Sequence, residues 1–456
     1  MVSYLPKQVS AITKTFLNES ISLLSELIQN RCVNPPGDEL RSIRTVQRAL
    51  QEHGIESRVF ESAPNRGNLV ARIKGDDGPR LMFGPAHVDV VPVENVGSWE
   101  EDPFSGTVKD GYVWGRGALD MLFIVAAQVQ AFIEIHGEGF QPRGELILYV
   151  VSDEEAGGTY GARWMIEKHP ELVEADYAVT EAGGISIAPG KIAFMTGEKG
   201  VARKRISFKG KAGHGSLPYL SDNAVVKLSE AVTRLSGYSP PLTTEYLGHI
   251  AEGLGLGFVQ RLMLTNPWLL PFTLGRLRGS EPIMAMLLHG LSRMTVSPNM
   301  VHGGVKVNVI PETAHVDLDI RTIPGQDEEY VISHLRKALG PLADEAIIED
   351  PPGPEKGFMS YGSSSPARSE FVDAMERAIR SEPPDGTLVP MIMPGATDCR
   401  FMREQGAEAY GFSMFDPETP TSHLADLAHG ANERVSVRTV ELTQKVYHHL
   451  AKDFLK

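Results

Sequence analysis

Five places in this chain set acid–base or metal-binding side chains at the ends of apolar runs: His87-Val88-Asp89, Asp120, Asp153-Glu154-Glu155, Glu181 and His429. His87 and Asp89 follow the run LMFGPA, and residues two apart in extended backbone project to the same side. Asp89 can therefore hold one imidazole nitrogen while the other binds a metal ion, the usual support for a histidine ligand. In the acidic triplet, adjacent carboxylates point to opposite sides, so one can bind metal while its neighbour handles protons. Each signal also has a plainer reading. An H-x-D triplet arises readily by chance, Asp120 between glycines and an apolar helix reads as an N-cap, and the triplet reads as a solvated turn. Together, two histidines and three carboxylates at strand termini lie where open α/β sheets place their ligands, and the set suits one or two zinc-like ions.

The elements that must position these groups alternate in the first 200 residues. Strands are expected at Leu81 to Gly84, Leu146 to Val151 and Tyr177 to Thr180, and helices at Val9 to Ile28, Met121 to His136 and Gly161 to Lys168. That alternation predicts an α/β layer architecture. From about Lys204 the order becomes β-α-β-β-α-β: a strand to Phe208, a helix from Asp222 to Leu235, strands Val305 to Val309 and Val316 to Ile320, a helix from Asp327 to Leu339, and a strand Ala346 to Ile348. That order predicts a small α+β domain, interrupted by an apolar excursion over residues 237–300. A run dense in Pro, Gly and Ser follows Asp350. The expected plan is one catalytic α/β domain, residues 1–200 and 352–456, with a second domain, 201–351, inserted into it.

Composition removes several functions. The 456 residues carry 44 basic and 58 acidic side chains, a net charge of −14, and no basic block exists to bind nucleic acid. Only Cys32 and Cys399 are present, which excludes a disulfide scaffold. There is no phosphate loop, no G-x-S-x-G elbow and no H-E-x-x-H helix. The GLGLGF stretch at Gly253 to Phe258 follows no strand. The N-terminal segment lacks the features of a secretory signal, and no apolar run reaches the ~18 residues of a bilayer span. A soluble, cytoplasmic protein without stable membrane insertion is the expectation.

The ordered motifs HVDVVP, WEEDPFSGTVKDGYVWGRGALD, SDEEAGG, TEAGG, GKAGHGSLP, GGVKVNVIP, GATD and HGANERV closely resemble the M20 family of metallopeptidases and deacylases. Aminoacylase, acetylornithine deacetylase, succinyl-diaminopimelate desuccinylase and carboxypeptidase-like enzymes are among its members. The resemblance implies a catalytic domain with an inserted lid or dimerisation domain and two divalent ions, zinc first, cobalt or manganese as alternatives. Carried over by motif, His87 and Glu181 hold one ion, Glu155 and His429 the other, and Asp120 bridges them. Asp89 steadies His87, and Glu154 is the general base. His214 matches the family histidine that reaches a partner's site in a homodimer. Asn308 and Arg321 match substrate-binding positions, Arg321 facing a substrate carboxylate, and Gly395 matches a backbone contact. Asp398 reads as a loop-holding residue, and His423 lacks motif context.

The implied reaction is hydrolysis of an amide bond in a small N-acyl amino acid or short peptide. A dipeptidase or carboxypeptidase uses the same machinery. A binding or regulatory protein of the same fold is the non-enzymatic alternative, and the complete ligand set speaks against it. Two departures stand out. Met121-Leu122-Phe123 follows Asp120 where many relatives carry lysine and glycine. The excursion includes an unusually apolar segment, Pro282 to Met294, read either as an acyl pocket or membrane contact or as a thicker lid or dimer interface.

Overall fold

A computed structural model describes residues 5–352, 360–420, 424 and 426–456, and their side chains except at 5–16 and 283. Part of the expected linker, residues 353–359, and His423 lie outside the described residues. The chain divides into two compact units: Met1–Thr196 with Ser365–Met391 and Thr397–Lys456, and Gly197–Ser364 with Ile392–Ala396.

The first unit is built on a mixed sheet. Its order is Ser57–Ala63, Arg66–Lys74, Arg143–Val151, Asp76–His87, Tyr177–Thr180, Glu408–Gly411, Lys191–Glu198. Arg143–Val151, Asp76–His87, Tyr177–Thr180 and Glu408–Gly411 run parallel to one another, and the outer pairings are antiparallel. The inner strands are buried on both faces, which is why they read as continuous apolar runs rather than alternating ones. On one face the buried helix Phe123–Gly137 packs with Leu40–Glu52, Glu370–Ile379 and Val437–Phe454. On the other lie Ala162–Lys168 and Cys399–Glu404, through Met165, Cys399 and Met402. Among the described residues one helical stretch is long and apolar enough to cross a bilayer, Ala118–Gly137, and 83% of that window is buried in the protein. It is a core helix.

The second unit is an antiparallel sheet, in order Thr295–Gly303, Thr313–Thr322, Lys204–Lys209, Ile347–Glu349. The helices Ala224–Gly237 and Glu328–Leu339 cover it through Leu228, Leu235, Val331 and Leu335. Sheet order and connectivity are those of a split β-α-β fold. The expected strand Val305 to Val309 is not there. Val305 and Val307 are exposed, only Val309–Ile310 is extended, and it pairs with Gly213–His214. The strand in that place is Thr295–Gly303, which occupies the free edge of Thr313–Thr322 across a bulge at Pro298. The second unit also runs to Ser364, because Ser363 and Ser364 pair with Glu198 and Gly197. It takes in Gly395, which the expected boundaries placed in the catalytic domain; the Lys199 N–H donates to the Met393 carbonyl at 2.9 Å.

Candidate metal centre

Three neighbouring parallel strands end at the same edge of the first sheet, and each delivers a candidate ligand. His87 is the last residue of Asp76–His87, Glu154 and Glu155 follow Arg143–Val151, and Glu181 follows Tyr177–Thr180. Parallel pairing alone therefore gathers groups separated by up to a hundred residues.

Asp120 comes from a widened turn, Ala118–Leu122, that leads into the core helix. Gly117 makes that turn at φ 81°, where a Cβ would lie 2.3 Å from Val90 Cγ1. His429 arrives on the loop before Arg434–Ser436, which pairs with Tyr112–Trp114 just upstream of Asp120.

The five groups meet as two overlapping triads. His87 Nε2 lies 3.3 Å from Asp120 Oδ1 and 3.5 Å from Glu181 Oε2. His429 Nε2 lies 3.2 Å from Asp120 Oδ2 and 3.4 Å from Glu155 Oε1. Asp120 thus turns one oxygen to each triad. His87 Nε2 and Glu155 Oε1 are buried without a hydrogen-bond partner, an arrangement costly enough to require an occupant. Imidazole and carboxylate at this spacing fit two divalent cations. Among the described residues two other groups also come within ligand spacing, His302/His315/Asp317 and Glu134/Glu138/His448. There the cations are the protein's own: Arg205 grips Asp317 with both prongs at 2.6 and 2.7 Å, and Lys452 pairs with Glu138 at 2.5 Å.

Electrostatics agree. Burial pushes the Glu154 and Glu155 carboxyls up, that of Glu154 well above the usual range with Glu181 adding to the push. Burial and then the Asp120 charge raise Glu181 to about 8. Asp120 and Glu155 hold His429 protonated, up to about 10. Burial alone would lower His87, but Asp120, Asp89 and Glu181 bring it well above its usual value. Asp120 goes the other way: against the effect of burial, His429 and His87 hold it well below the usual carboxylate range.

The supports are equally ordered. Asp89 is fully buried: its backbone carbonyl lies 3.0 Å from His87 Nδ1, and its Oδ1 lies 3.5 Å from the same nitrogen. Its carboxylate also accepts from the backbone N–H of Glu154 at 3.2 Å, that of Glu155 at 3.1 Å and Asn34 Nδ2 at 2.8 Å. Met121, the departure after Asp120, packs beneath the histidine, its Sδ accepting the His87 N–H at 3.4 Å.

Sequence reading missed a buried ion pair. Arg116 donates to Glu433 at 2.6 Å and to the His429 carbonyl at 3.0 Å, while Glu433 accepts the N–H groups of Leu119 and Asp120 at 2.8 and 3.1 Å. The pair fastens the Asp120 turn to the His429 loop. Both residues lie inside quoted motifs, GRGALD and HGANERV, so opposite charges in glycine-rich, non-periodic segments were the available signal. Asp398 does not hold its loop by hydrogen bonds: both carboxylate oxygens are buried without one, and burial raises it to about 7. The Gly158 backbone approaches it so closely that a Cβ there would lie 2.6 Å from Oδ1.

The remaining candidates belong to the second unit. His214 is exposed, and its Nδ1 accepts the Ser216 N–H at 3.2 Å. A neutral ring accepting there carries its proton on Nε2. Asn308 sits beside it, its carbonyl accepting the Gly215 N–H at 2.8 Å. Arg321 gives Nε and Nη2 to Asp319 at 2.7 and 3.2 Å.

Comparison with known proteins gives the family and the fold. The profile of peptidase family M20/M25/M40 matches residues 85–453. The chain belongs to that family, and it is a hydrolase acting on C–N bonds. It is similar to a probable carboxypeptidase S-like protein of Dictyostelium discoideum, 28% identical over 85% of this chain and 74% of the relative. It is also similar to the succinyl-diaminopimelate desuccinylase of Parvibaculum lavamentivorans, 33% identical over 48% of this chain. That match spans about half of the desuccinylase, 55%. Among solved structures, an M20 metallo-carboxypeptidase from Sulfolobus solfataricus superposes with a TM-score of 0.69 at 18% identity, covering 95% of this chain and 98% of the other. Human carnosine dipeptidase 1 gives 0.66 at 16% identity, with 98% of each chain covered. These likenesses establish the catalytic-plus-inserted-domain fold.

Proposed function

We propose that the chain hydrolyses the amide bond of a small N-acyl amino acid or short peptide, with two zinc ions held by His87, Asp120 and Glu181 and by Asp120, Glu155 and His429. The observation that carries this reading is the shared aspartate between two histidines, with buried, unpartnered donor atoms on both sides. Such ions, when bound, supply positive charge that polarises an amide carbonyl and acidifies the attacking water. Glu154 takes the water's proton and passes it to the leaving nitrogen as the C–N bond breaks. Asp89 does no proton transfer; it keeps His87 Nδ1 occupied so that Nε2 faces the triad.

In this reading His214, supplied by a second copy in a homodimer, donates its Nε2–H to the oxyanion. Asn308 and the Gly395 backbone contact the substrate. With Nε and Nη2 committed to Asp319, Arg321 keeps its Nη1 donors for a substrate carboxylate. Desuccinylase relatives support a deacylase, and carboxypeptidase and dipeptidase neighbours support a peptidase acting with the same residues.

The test is metal content together with amine release from N-acyl amino acids of rising acyl length and from dipeptides, with zinc, cobalt, manganese or chelator. Two bound ions and chelator-sensitive turnover are expected, and the better half of the panel chooses the substrate class. A folded chain that binds fewer than one ion, or one equally active in chelator, overturns the reading.

A further inference from the structure

The second unit carries a surface that its own core does not use. Of three short helices, Phe258–Thr265, Leu270–Ser280 and Pro282–Leu291, the last two are anchored by Leu270, Thr273, Ala285, Leu288 and Leu291, all buried, while the first buries no residue fully. Their other sides are apolar and open. Phe258 is 81% exposed, with Val259 and Leu262 beside it at helical spacing. Trp268, in the turn before the second helix, is 91% exposed, and Leu269 and Phe272 are exposed with it. Met284, Met286 and Leu287 are exposed on the third helix. A lone exposed apolar residue needs no account, but a cluster with two phenylalanines and a tryptophan marks a contact surface.

Charge selects the occupant. The chain carries 58 acidic and 44 basic residues, yet from Leu254 to Ser292 the charged residues are Arg261, Arg276, Arg278 and Glu281. The three arginines are exposed and form no ion pair among the described residues. Elsewhere the arginines are commonly engaged, as Arg205 is with Asp317 and Arg234 with Glu230. Exposed aromatic and aliphatic side chains interleaved with unpaired arginines match the interface of an anionic lipid bilayer. The rings enter the acyl boundary, and the guanidinium groups meet headgroup phosphates. At 8, 11 and 10 residues none of the helices reaches the ~20 residues needed to span, so contact is with one leaflet.

We propose that the helices 258–291 dock this protein reversibly on anionic membrane surfaces. The proposal does not depend on the reading of the metal centre.

The test is flotation of the purified full chain with vesicles of phosphatidylcholine alone or of phosphatidylcholine with phosphatidylglycerol, at low and high salt. The chain is expected to float with the anionic vesicles, less so at high salt, and to remain below with neutral ones. Replacing all three arginines (R261Q, R276Q, R278Q) should weaken binding about fivefold for each charge removed. W268S with F272S should weaken it about tenfold or more. These side chains are exposed, so both variants should keep the native circular dichroism spectrum. A blue shift of tryptophan emission on vesicle addition should disappear with W268S. Glu154→Gln should float as the wild type does, which separates docking from catalysis. A wild-type chain that stays below with both vesicle types overturns the proposal. So does a W268S/F272S variant that floats undiminished. A surface that instead joins two copies would make that variant monomeric from a dimeric wild type that does not float, and this too overturns it.

Discussion

Each unit buries a cluster of charge, and the two clusters are of opposite sign. In the second unit Lys199 is almost fully buried near Arg293 and Arg321, and burial, reinforced by those cations, lowers its ammonium to about 7. Yet its donors are all engaged, with the carbonyls of Gly290 at 2.7 Å and Arg293 at 3.0 Å and with Thr295 Oγ1 at 3.4 Å. In the first unit Asp120, Glu154, Glu155 and Glu181 converge on two imidazoles, and key acceptor atoms remain unpartnered. The difference separates structure from function. A buried charge whose hydrogen bonds are complete is part of the scaffold, whereas buried polar atoms that converge without hydrogen bonds of their own mark a place built for ligand chemistry.

The strongest challenge to that contrast is removal of charge from the incomplete cluster. Glu154→Gln should lower turnover by about 10²–10⁴-fold while leaving two ions bound, whereas Asp120→Ala should lose both turnover and metal. Equal metal loss in the two variants would erase the distinction between ligand and base. Next in size is the fastening pair. Glu433→Ala leaves Arg116 buried without its carboxylate and should destabilise the fold by about 3–5 kcal/mol in denaturant unfolding. A near-neutral result would mean that Glu433 belongs with the incomplete groups instead.

His214→Ala should reduce kcat by about 10²–10³-fold without changing metal content. Mixing it with Glu154→Gln should restore part of the activity if the histidine serves a second copy's site. Failure of the mixture to recover would place His214 within its own chain's site or outside catalysis.

The smallest effect concerns Lys199. Its folded value, about 7, lies below its unfolded value of 10.5, so between those limits the unfolded chain binds more protons and stability rises with pH. Lys199→Met abolishes that contribution. The stability of the wild type minus that of the variant should therefore grow from about pH 7 upward. A flat difference would show that the three acceptors keep the ammonium charged, and would sharpen the contrast with the metal centre.

Much of the catalytic sheet was legible because its parallel strands are uniform apolar runs ending in polar residues. Tyr177–Thr180 appears with the expected ends, and His87 and Glu181 fall at strand termini. The second unit was harder for a reason of partnership rather than propensity. Val305, Val307 and Val309 alternate as a strand would, but Thr313–Thr322 already has Lys204–Lys209 on one edge and Thr295–Gly303 on the other. With both edges taken, the run cannot join that sheet, and only its end, Val309, finds a partner, in His214. The true strand carries Pro298, which discourages a strand assignment and is accommodated here at a bulge. Individual candidate ligands were visible within their motifs, but their mutual distances were not. Those depend on the strand pairing of Tyr112–Trp114 with Arg434–Ser436 and on the buried Arg116–Glu433 pair, neither of which has a local periodicity.

The discontinuity of the first unit also bears on how the protein is made. As the chain leaves the ribosome, the strands ending in His87, Val151 and Thr180 emerge first, and the whole second unit follows before Glu408–Gly411 and His429 appear. Nascent catalytic strands must therefore wait, with one sheet edge unpaired and their carboxylates unneutralised, while the inserted unit completes its own antiparallel ladder. Metal loading becomes one of the last events of biosynthesis, and a pulse-chase measurement of protease resistance should show the inserted unit protected before the metal-dependent one.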